Sequence, residues 1–376
     1  MNRPERVHFG HTVAPVDRVG ADDAALYREC LIDCEFGQAL GYDGAWFLEH
    51  HFTDYFPTPS PMLFMAYAAA RVPGLSLGTA VLVTPWYHPL RFAEEVAMLS
   101  LLSERPLHLG IGRGTAKLEY DAWGVDMEEA RERFAECLEI TRLAHAGEPF
   151  QFEGKHFRMG RKVPMRPAPR TERINFYGAI GSPNSAEIMA DLDLPPLVVA
   201  NFPLHVQTRV IEAWENRTRA RGGRLDRDRP IMVQAWIADT DAEAQALVRR
   251  WAPPYFDLQA RHYQPDENAY QDIKSYEQFA KFFGNLKRMA DPEQMGPWID
   301  LQFVGTPATV RRQVQVYIDI GFNRFIIQVA TYGVPRAVRH EMLRRFATDV
   351  APEFSDRFRN GKTVRRTSET KGGIAP

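Results

Sequence analysis

Short apolar runs alternate along this chain with longer stretches in which apolar residues return every third or fourth position. The runs Val7–Val13, Ala45–Leu48, Leu75–Val83, Leu107–Ile111, Ile174–Ala179, Leu197–Val199, Pro230–Ile237 and Arg324–Val329 predict eight strands. Between and after them the pattern predicts helices over Ala21–Leu40, Pro61–Arg71, His88–Ser103, Met127–Ala146, Ser185–Asp191, Leu204–Arg221, Asp241–Arg250, Pro307–Ile320 and Pro335–Thr348. Asp22 and Asp23 open the first helix and Gly41 closes it. In Met127–Ala146 the residues Ala130, Phe134, Cys137, Leu138 and Thr141 return at spacings of three and four. Phe150–Phe157 predicts a hairpin turning at Glu153-Gly154, followed by a crossing marked by Pro164, Pro167 and Pro169.

Strands alternating with helices eight times over is the order of an α/β chain folded as a (β/α)8 TIM barrel with insertions. The structural alternative is a doubly wound open sheet. Its usual Gly-x-Gly-x-x-Gly turn is missing after the first strand. Residues 1–355 are read as one barrel domain, and 356–376, rich in Arg, Lys, Thr and Gly, as a flexible tail. Pro253–Trp298 is irregular and long, which is the signature of a functional segment such as an active-site lid, with a helix near Tyr276–Leu286.

Charge narrows the function classes. Lys and Arg number 46 against 48 Asp and Glu, so no basic surface argues for nucleic acid or an anionic membrane. No apolar run approaches the roughly 20 residues of a membrane span, and the N-terminus lacks an apolar signal core. Cys30, Cys34 and Cys137 are odd in number and form no Cys-x-x-Cys, so neither a disulfide framework nor a zinc site is expected. The setting expected is reducing and cytoplasmic.

Three groups fall where predicted strands end, the mouth at which barrel chemistry sits. The first is Glu49-His50-His51 within Trp46-Phe-Leu-Glu-His-His-Phe-Thr-Asp-Tyr55. Side chains alternate in extended chain, so one histidine should face the cavity and the other should pack or hydrogen-bond at the rim. An ordinary pair of loop histidines fits the residues equally well. The second is Gly112-Arg113-Gly114, where bare backbone and a planar guanidinium suit a phosphate. The third is Gly181-Ser182-Pro-Asn-Ser185, which reads as a helix N-cap and as an anion site. His88, Trp86 and Tyr87 are pocket candidates that could as well be cap or core, and Phe52, Tyr55 and Phe56 add aromatic surface. Phe202 and Trp236 are further candidate walls. Glu49, His50, His51 and His88 could bind metal on paper, but no His-x-His or His-Glu-x-x-His spacing supports it, and no metal is expected.

With these stretches in view, a resemblance emerges. Trp46–Tyr55, Leu77-Gly-Thr-Ala-Val81 with His88-Pro89, Gly110-Ile-Gly-Arg-Gly114, Ser182–Pro195 and Val304-Gly-Thr-Pro307 resemble segments of the bacterial luciferase-like flavin-dependent monooxygenase superfamily. The α-subunit type is the nearest. The matches keep their order over residues of about 5 to 355. The resemblance implies a barrel that binds reduced FMN supplied by a separate flavin reductase. With O2 it would form a flavin C4a-hydroperoxide and oxygenate a small organic substrate. His50 matches the catalytic histidine; Arg113, Ser182 and Ser185 match phosphate contacts. Ala80 and Val81 match an unusual cis peptide under the flavin ring. Glu49, His51, Trp86 and His88 are left as substrate-pocket candidates. Pairing as a homodimer or heterodimer is also implied. Gly112, Gly181 and Ala200 depart from the family's cysteine, acid and tryptophan, which speaks against light emission and a long-chain aldehyde. Two rivals stand beside this reading: an F420-dependent oxidoreductase working by hydride transfer, and a non-catalytic flavin-binding subunit. The latter type departs at the paired histidines and the Arg-Gly turn, which this chain keeps.

Overall fold

The computed structural model describes residues 4–15, 22–263, 270, 273, 286, 288–329 and 332–359. Its parallel strands are β1 (His8–Thr12), β2 (Gly44–Phe47), β3 (Ser76–Val83), β4 (Leu107–Gly112), β5 (Ile174–Ala179), β6 (Pro196–Val199), β7 (Pro230–Ile237), β8 (Phe303–Gly305) and β9 (Arg324–Gln328). Neighbours run from β1 to β7 in order. β9 then pairs with both β7 and β1 and closes a barrel of eight strands, so the architecture is the TIM barrel that the alternation predicts. The strand β8 is additional. It pairs with Ala235–Ile237 in the second half of β7, beyond the stretch of β7 that pairs with β9. All eight residues of β7 are buried, as a strand enclosed on both faces requires.

The helices that position the site are α1 (Asp23–Leu40), α2 (Pro61–Arg71), α3 (Pro89–Leu102), α4 (Lys117–Trp123), α5 (Ala130–His145), α6 (Pro183–Asp191), α7 (Leu204–Ala220), α8 (Asp241–Trp251) and α9 (Pro253–Tyr263). Local chemistry sets their ends. The Asp22 carboxylate accepts the amides of Ala24 and Ala25 at the start of α1, and Gly41, at φ +95°, ends it. Thr240 and Glu243 form a reciprocal capping box on α8. No helix among the described residues is long and apolar enough to cross a membrane.

Trp46 fills the barrel interior. A Cβ on Gly10 of β1 or Gly78 of β3 would lie 2.6 or 2.7 Å from its indole, so two glycines on flanking strands make room for one tryptophan. Trp46 stacks on His108, 5.8 Å away, and His108 Nδ1 is 2.9 Å from the Tyr177 hydroxyl. At the N-terminal end of the barrel, buried Arg324 donates to Asp228 (2.7 Å) and Asp43 (3.2 Å), and His8 reaches Asp43 at 2.7 Å. This charged knot ties together the chain entering β1, β2, β7 and β9 on the face that serves stability.

The structure adjusts several expectations. The hairpin turns at Gly154–Phe157, and its arms extend to the Phe150–Val163 bridge. Pro253–Tyr263 is helical, and the helix expected near Tyr276–Leu286 falls almost wholly outside the described residues. Residues 356–359, expected to begin the flexible tail, form a helical turn in which the Arg357 guanidinium donates to the Gly41 carbonyl (2.6 Å) and Phe358 packs on Phe9 and Tyr42. The remainder of that tail lies outside the described residues.

Candidate active site

The C-terminal ends of the strands open into a cavity of about 240 Å³. Around the mouth, the segment following β2 contributes His50, β3 contributes Ala80 and Val81, β4 leads into Gly112-Arg113-Gly114, the loop after β5 brings Gly181, and the first turn of α6 brings Ser185. Leu48, Leu197, Val199 and Met232 supply apolar wall, and Tyr255, Gln259 and Tyr263 of α9 line it too. The strand order therefore places Ala80-Val81 between the histidine and the arginine. The peptide joining those two residues is cis, as the resemblance implies.

Alternation separates the two histidines as expected. His50 lines the cavity, its ring 4.6 Å from that of Tyr55. His51 turns away, its ring lying edge-on to Trp86 and Trp123, and its Nε2 donates to Glu49 Oε1 at 3.1 Å. Glu49 borders the cavity, but its carboxylate also accepts the Val83 amide (3.0 Å), the Trp86 indole N–H (2.9 Å) and the Tyr87 hydroxyl (3.0 Å). His51, Trp86 and Tyr87 are thus drawn to Glu49 and are not among the cavity-lining residues. His88 sits at the N-terminus of α3 and lines a separate space under the hairpin, with Phe157 and Met159. Of the other candidate walls, Phe202 lines the cavity, whereas Trp236 is fully buried and bonded to Gln234.

Two residues that the sequence reading did not select complete the surroundings of His50. Glu119 of α4 and His262 of α9 are both buried beside it. Glu119 Oε1 accepts the His51 amide at 2.7 Å and lies 3.7 Å from His50 Nδ1 and 3.3 Å from His262 Nε2. His262 Nδ1 is 2.7 Å from the Thr53 hydroxyl. Burial pushes the Glu119 carboxyl up, but hydrogen bonds and charge from His262 and His50 outweigh it and hold the group down at about 2. Burial lowers the His50 pKa, aided by His262 and opposed by Glu119 and Glu49. The donor atoms of His50, Glu119 and His262 lie within 4.8 Å of one another, a grouping that can hold a metal. Among the described residues neither His50 Nδ1 nor His262 Nε2 makes a hydrogen bond, and both face the Glu119 carboxylate, which already accepts the His51 amide.

At the far side of β3, the Ser182 hydroxyl caps α6. It accepts the Ser185 amide (3.3 Å) and donates to the Ser185 hydroxyl (3.0 Å). Ser185 and Arg113 border both the main cavity and an adjoining one, which Arg131 of α5 also lines. Arg131 is a second cation that no motif signalled. Gly114 adopts φ +71°, a conformation suited to glycine, and continues the bare backbone next to Arg113.

A profile of the luciferase-like monooxygenase family matches residues 27–324. The oxygenase component of a flavin-dependent trigonelline monooxygenase from Acinetobacter baylyi is 24% identical over 354 residues, covering 88% of this chain and 91% of that protein. Matches to the first curated relatives, 33–34% identical, span only 39–50% of those proteins. Among solved structures, the oxygenating constituent of 3,6-diketocamphane monooxygenase from Pseudomonas putida, a type II Baeyer–Villiger monooxygenase in complex with FMN, superposes with a TM-score of 0.72 at 20% identity. That match covers 93% of this chain and 98% of that one. An F420-dependent secondary alcohol dehydrogenase superposes at 0.69 with 15% identity, covering 94% and 100%.

Proposed function

Since the chain belongs to the luciferase-like monooxygenase family, we propose that its cavity takes reduced FMN from a separate flavin reductase and uses it with O2 to oxygenate a small organic substrate. One observation carries the reading. A single cavity joins Arg113, Ser185 and the N-terminus of α6 to an apolar wall and, across Ala80-Val81, to a buried histidine. The cationic arm, the hydroxyl and the positive end of the helix dipole suit a phosphate. Arg131 in the adjoining space adds charge of the same sign. The apolar wall suits a flat ring. The residues present therefore fit FMN.

When bound, reduced FMN supplies the electrons that activate O2. The chain's own part is to hold it and to manage protons and water. Arg113 and Ser185 would anchor the phosphate, and Ser182, whose hydroxyl is held by Ser185, would position that turn. Leu48, Leu197 and Val199 line the cavity with apolar surface and would exclude water from a bound ring. With its pKa lowered by burial, the His50 imidazole is neutral near pH 7 and can take up or return a proton at the cavity. Glu119 faces Nδ1 of His50, so Nε2 is the nitrogen left for that exchange. The trigonelline relative is named an oxygenase component, which supports a separate reductase.

Anaerobic titration with reduced FMN and with reduced F420, followed by mixing with O2 and a substrate screen, tests the reading. Tight FMN binding and an oxygenated product are expected. Binding of F420 with no binding of FMN would shift the assignment to hydride transfer, a reading the shared fold of the F420-dependent dehydrogenase keeps in view. Flavin binding with no turnover of any substrate would favour a non-catalytic subunit. We also read the chain as forming a homodimer or heterodimer, because packed helices α2 and α3 leave Leu63, Tyr67, Met98 and Leu102 about half or more exposed. Light scattering should show a dimer that Leu63→Glu with Leu102→Glu dissociates; a monomeric parent chain would refute pairing as a homodimer.

A further inference from the structure

We propose that His50 Nδ1, Glu119 Oε1 and His262 Nε2 bind one divalent transition-metal ion, zinc by their geometry and donor set, and that the ion clamps α4 and α9 to the segment after β2. The carrying observation is a pair of orphaned nitrogens facing one carboxylate. All three side chains are buried. Among the described residues, neither His50 Nδ1 nor His262 Nε2 has a hydrogen-bond partner, although Glu119 Oε1 lies 3.7 and 3.3 Å from them. Buried polar atoms left so are costly. Donors around a tetrahedral zinc, held at about 2.0–2.1 Å, stand roughly 3.3–3.4 Å apart. Each aims at the ion and so about 35° away from its neighbour, which is why ligands this close make no hydrogen bond with one another. The three donor atoms lie within 4.8 Å of one another, so small ring rotations bring the remaining edge to that spacing.

Neighbouring groups prepare the donors. His262 Nδ1 lies 2.7 Å from the Thr53 hydroxyl, a bond that fixes the ring. With the ring hydrogen on Nδ1, Nε2 presents its lone pair, as a ligating histidine requires. The His51 amide, 2.7 Å from Glu119 Oε1, holds the carboxylate in the same way. Two imidazoles and one carboxylate are a zinc donor set that leaves a fourth position for water. His50 and Glu119 border the cavity from which that water would come. The ligands weighed on paper shared only His50 with this site. Glu49 and His51 bond to each other, and His88 lies under the hairpin. The ion would take Nδ1 of His50 and leave Nε2 to the exchange proposed above.

The test uses the full chain without flavin, stripped with a chelator, dialysed, and titrated with zinc and separately with cobalt(II). One equivalent of zinc should bind, and cobalt should show the intense visible bands of four-coordination. Zinc at 100 times its Kd should raise the Tm by about 3 °C. His262→Phe fills the ring volume and should abolish all three effects. Thr53→Val keeps every ligand and should weaken zinc by about 10- to 100-fold; it serves if His262→Phe does not fold. His156→Gln is the control. His156 also sits between two carboxylates, Glu129 at 3.4 Å and Glu132 at 2.7 Å, and its loss should change nothing. An absence of zinc binding or a six-coordinate cobalt spectrum would overturn the proposal. So would zinc binding that a folded His262→Phe or Thr53→Val leaves unchanged, or that His156→Gln removes. No readout here involves flavin, so failure to bind reduced FMN would remove the oxygenase reading and leave the metal site standing.

Discussion

Glu49 borders the cavity, yet its carboxylate is consumed by protein donors, and that makes a quantitative prediction. Oε1 accepts from His51 Nε2 and Trp86 Nε1, and Oε2 from the Val83 amide and the Tyr87 hydroxyl. Glu49→Ala strands all four donors. The Val83 amide and the His51 ring are buried, and a buried donor left unpaired costs about 1–3 kcal/mol. Trp86 and Tyr87 are part-buried and regain water at smaller cost. The total is about 4 kcal/mol. Unfolding entropy of about 2.1 cal/mol/K per residue gives roughly 0.8 kcal/mol/K for a chain of this length, so Tm should fall by about 5 °C. Glu49→Gln keeps one acceptor oxygen and should lose about half as much. Differential scanning calorimetry at fixed scan rate reads both. A fall of less than about 1 °C in Glu49→Ala would refute the view that this carboxylate ties the end of β2 to the end of β3. Equal falls in both variants would show that the number of accepted bonds is not what matters.

Three further outcomes follow from the site. Arg113→Ala should weaken reduced FMN by roughly 10- to 100-fold, the worth of a charge-assisted hydrogen bond, and leave riboflavin unchanged; equal loss for both ligands in calorimetric titrations would remove the phosphate assignment. His50→Ala should slow oxygenation roughly 100-fold or more while FMN binding persists, and unchanged turnover would end its catalytic role. The Glu119 carboxyl, held at about 2 in the fold against 4.5 ordinarily, adds stability that is fully present above pH 4.5 and lost as pH falls toward 2. The full span is about 3 kcal/mol at 1.36 kcal/mol per unit. Urea unfolding at pH 6 and pH 3 should show this slope in the parent chain and a shallower one in Glu119→Gln, and identical slopes would refute it.

Much of the barrel was legible because its strands are buried on both faces and announce themselves as apolar runs between periodic helices. Pro61–Arg71, Ile174–Ala179, Pro230–Ile237 and Pro307–Ile320 match their expected limits. What escaped were elements too short or too oddly opened to show a period. The strand β8 has three residues, hidden at the end of an irregular stretch, and α4 has seven, with no side-chain cap. The helix α9 begins with Pro253-Pro254, which reads as a breaker. In the first turn of a helix the missing N–H costs nothing, so the pair starts a helix as readily as it ends one.

The same blindness decided which site residues were found. His50, Arg113 and Ser185 stand at the ends of strands that a period can locate, and they reach the cavity. Glu119 and His262 ride on α4 and α9, the two helices the pattern did not resolve, and they meet only because the closed barrel brings both over the end of β2. Nothing along the chain links positions so far apart; the fold alone does. The alternation argument still had force, since it required the paired histidines to part company, one to the cavity and one to the rim. It could not say that the rim partner would be Glu49, because the four donors converging there come from residues 51, 83, 86 and 87, on two strand ends. A carboxylate next to a catalytic candidate therefore read as chemistry in one dimension and is a structural hub in three. The acid that does face His50 rides on a seven-residue helix that no period announces.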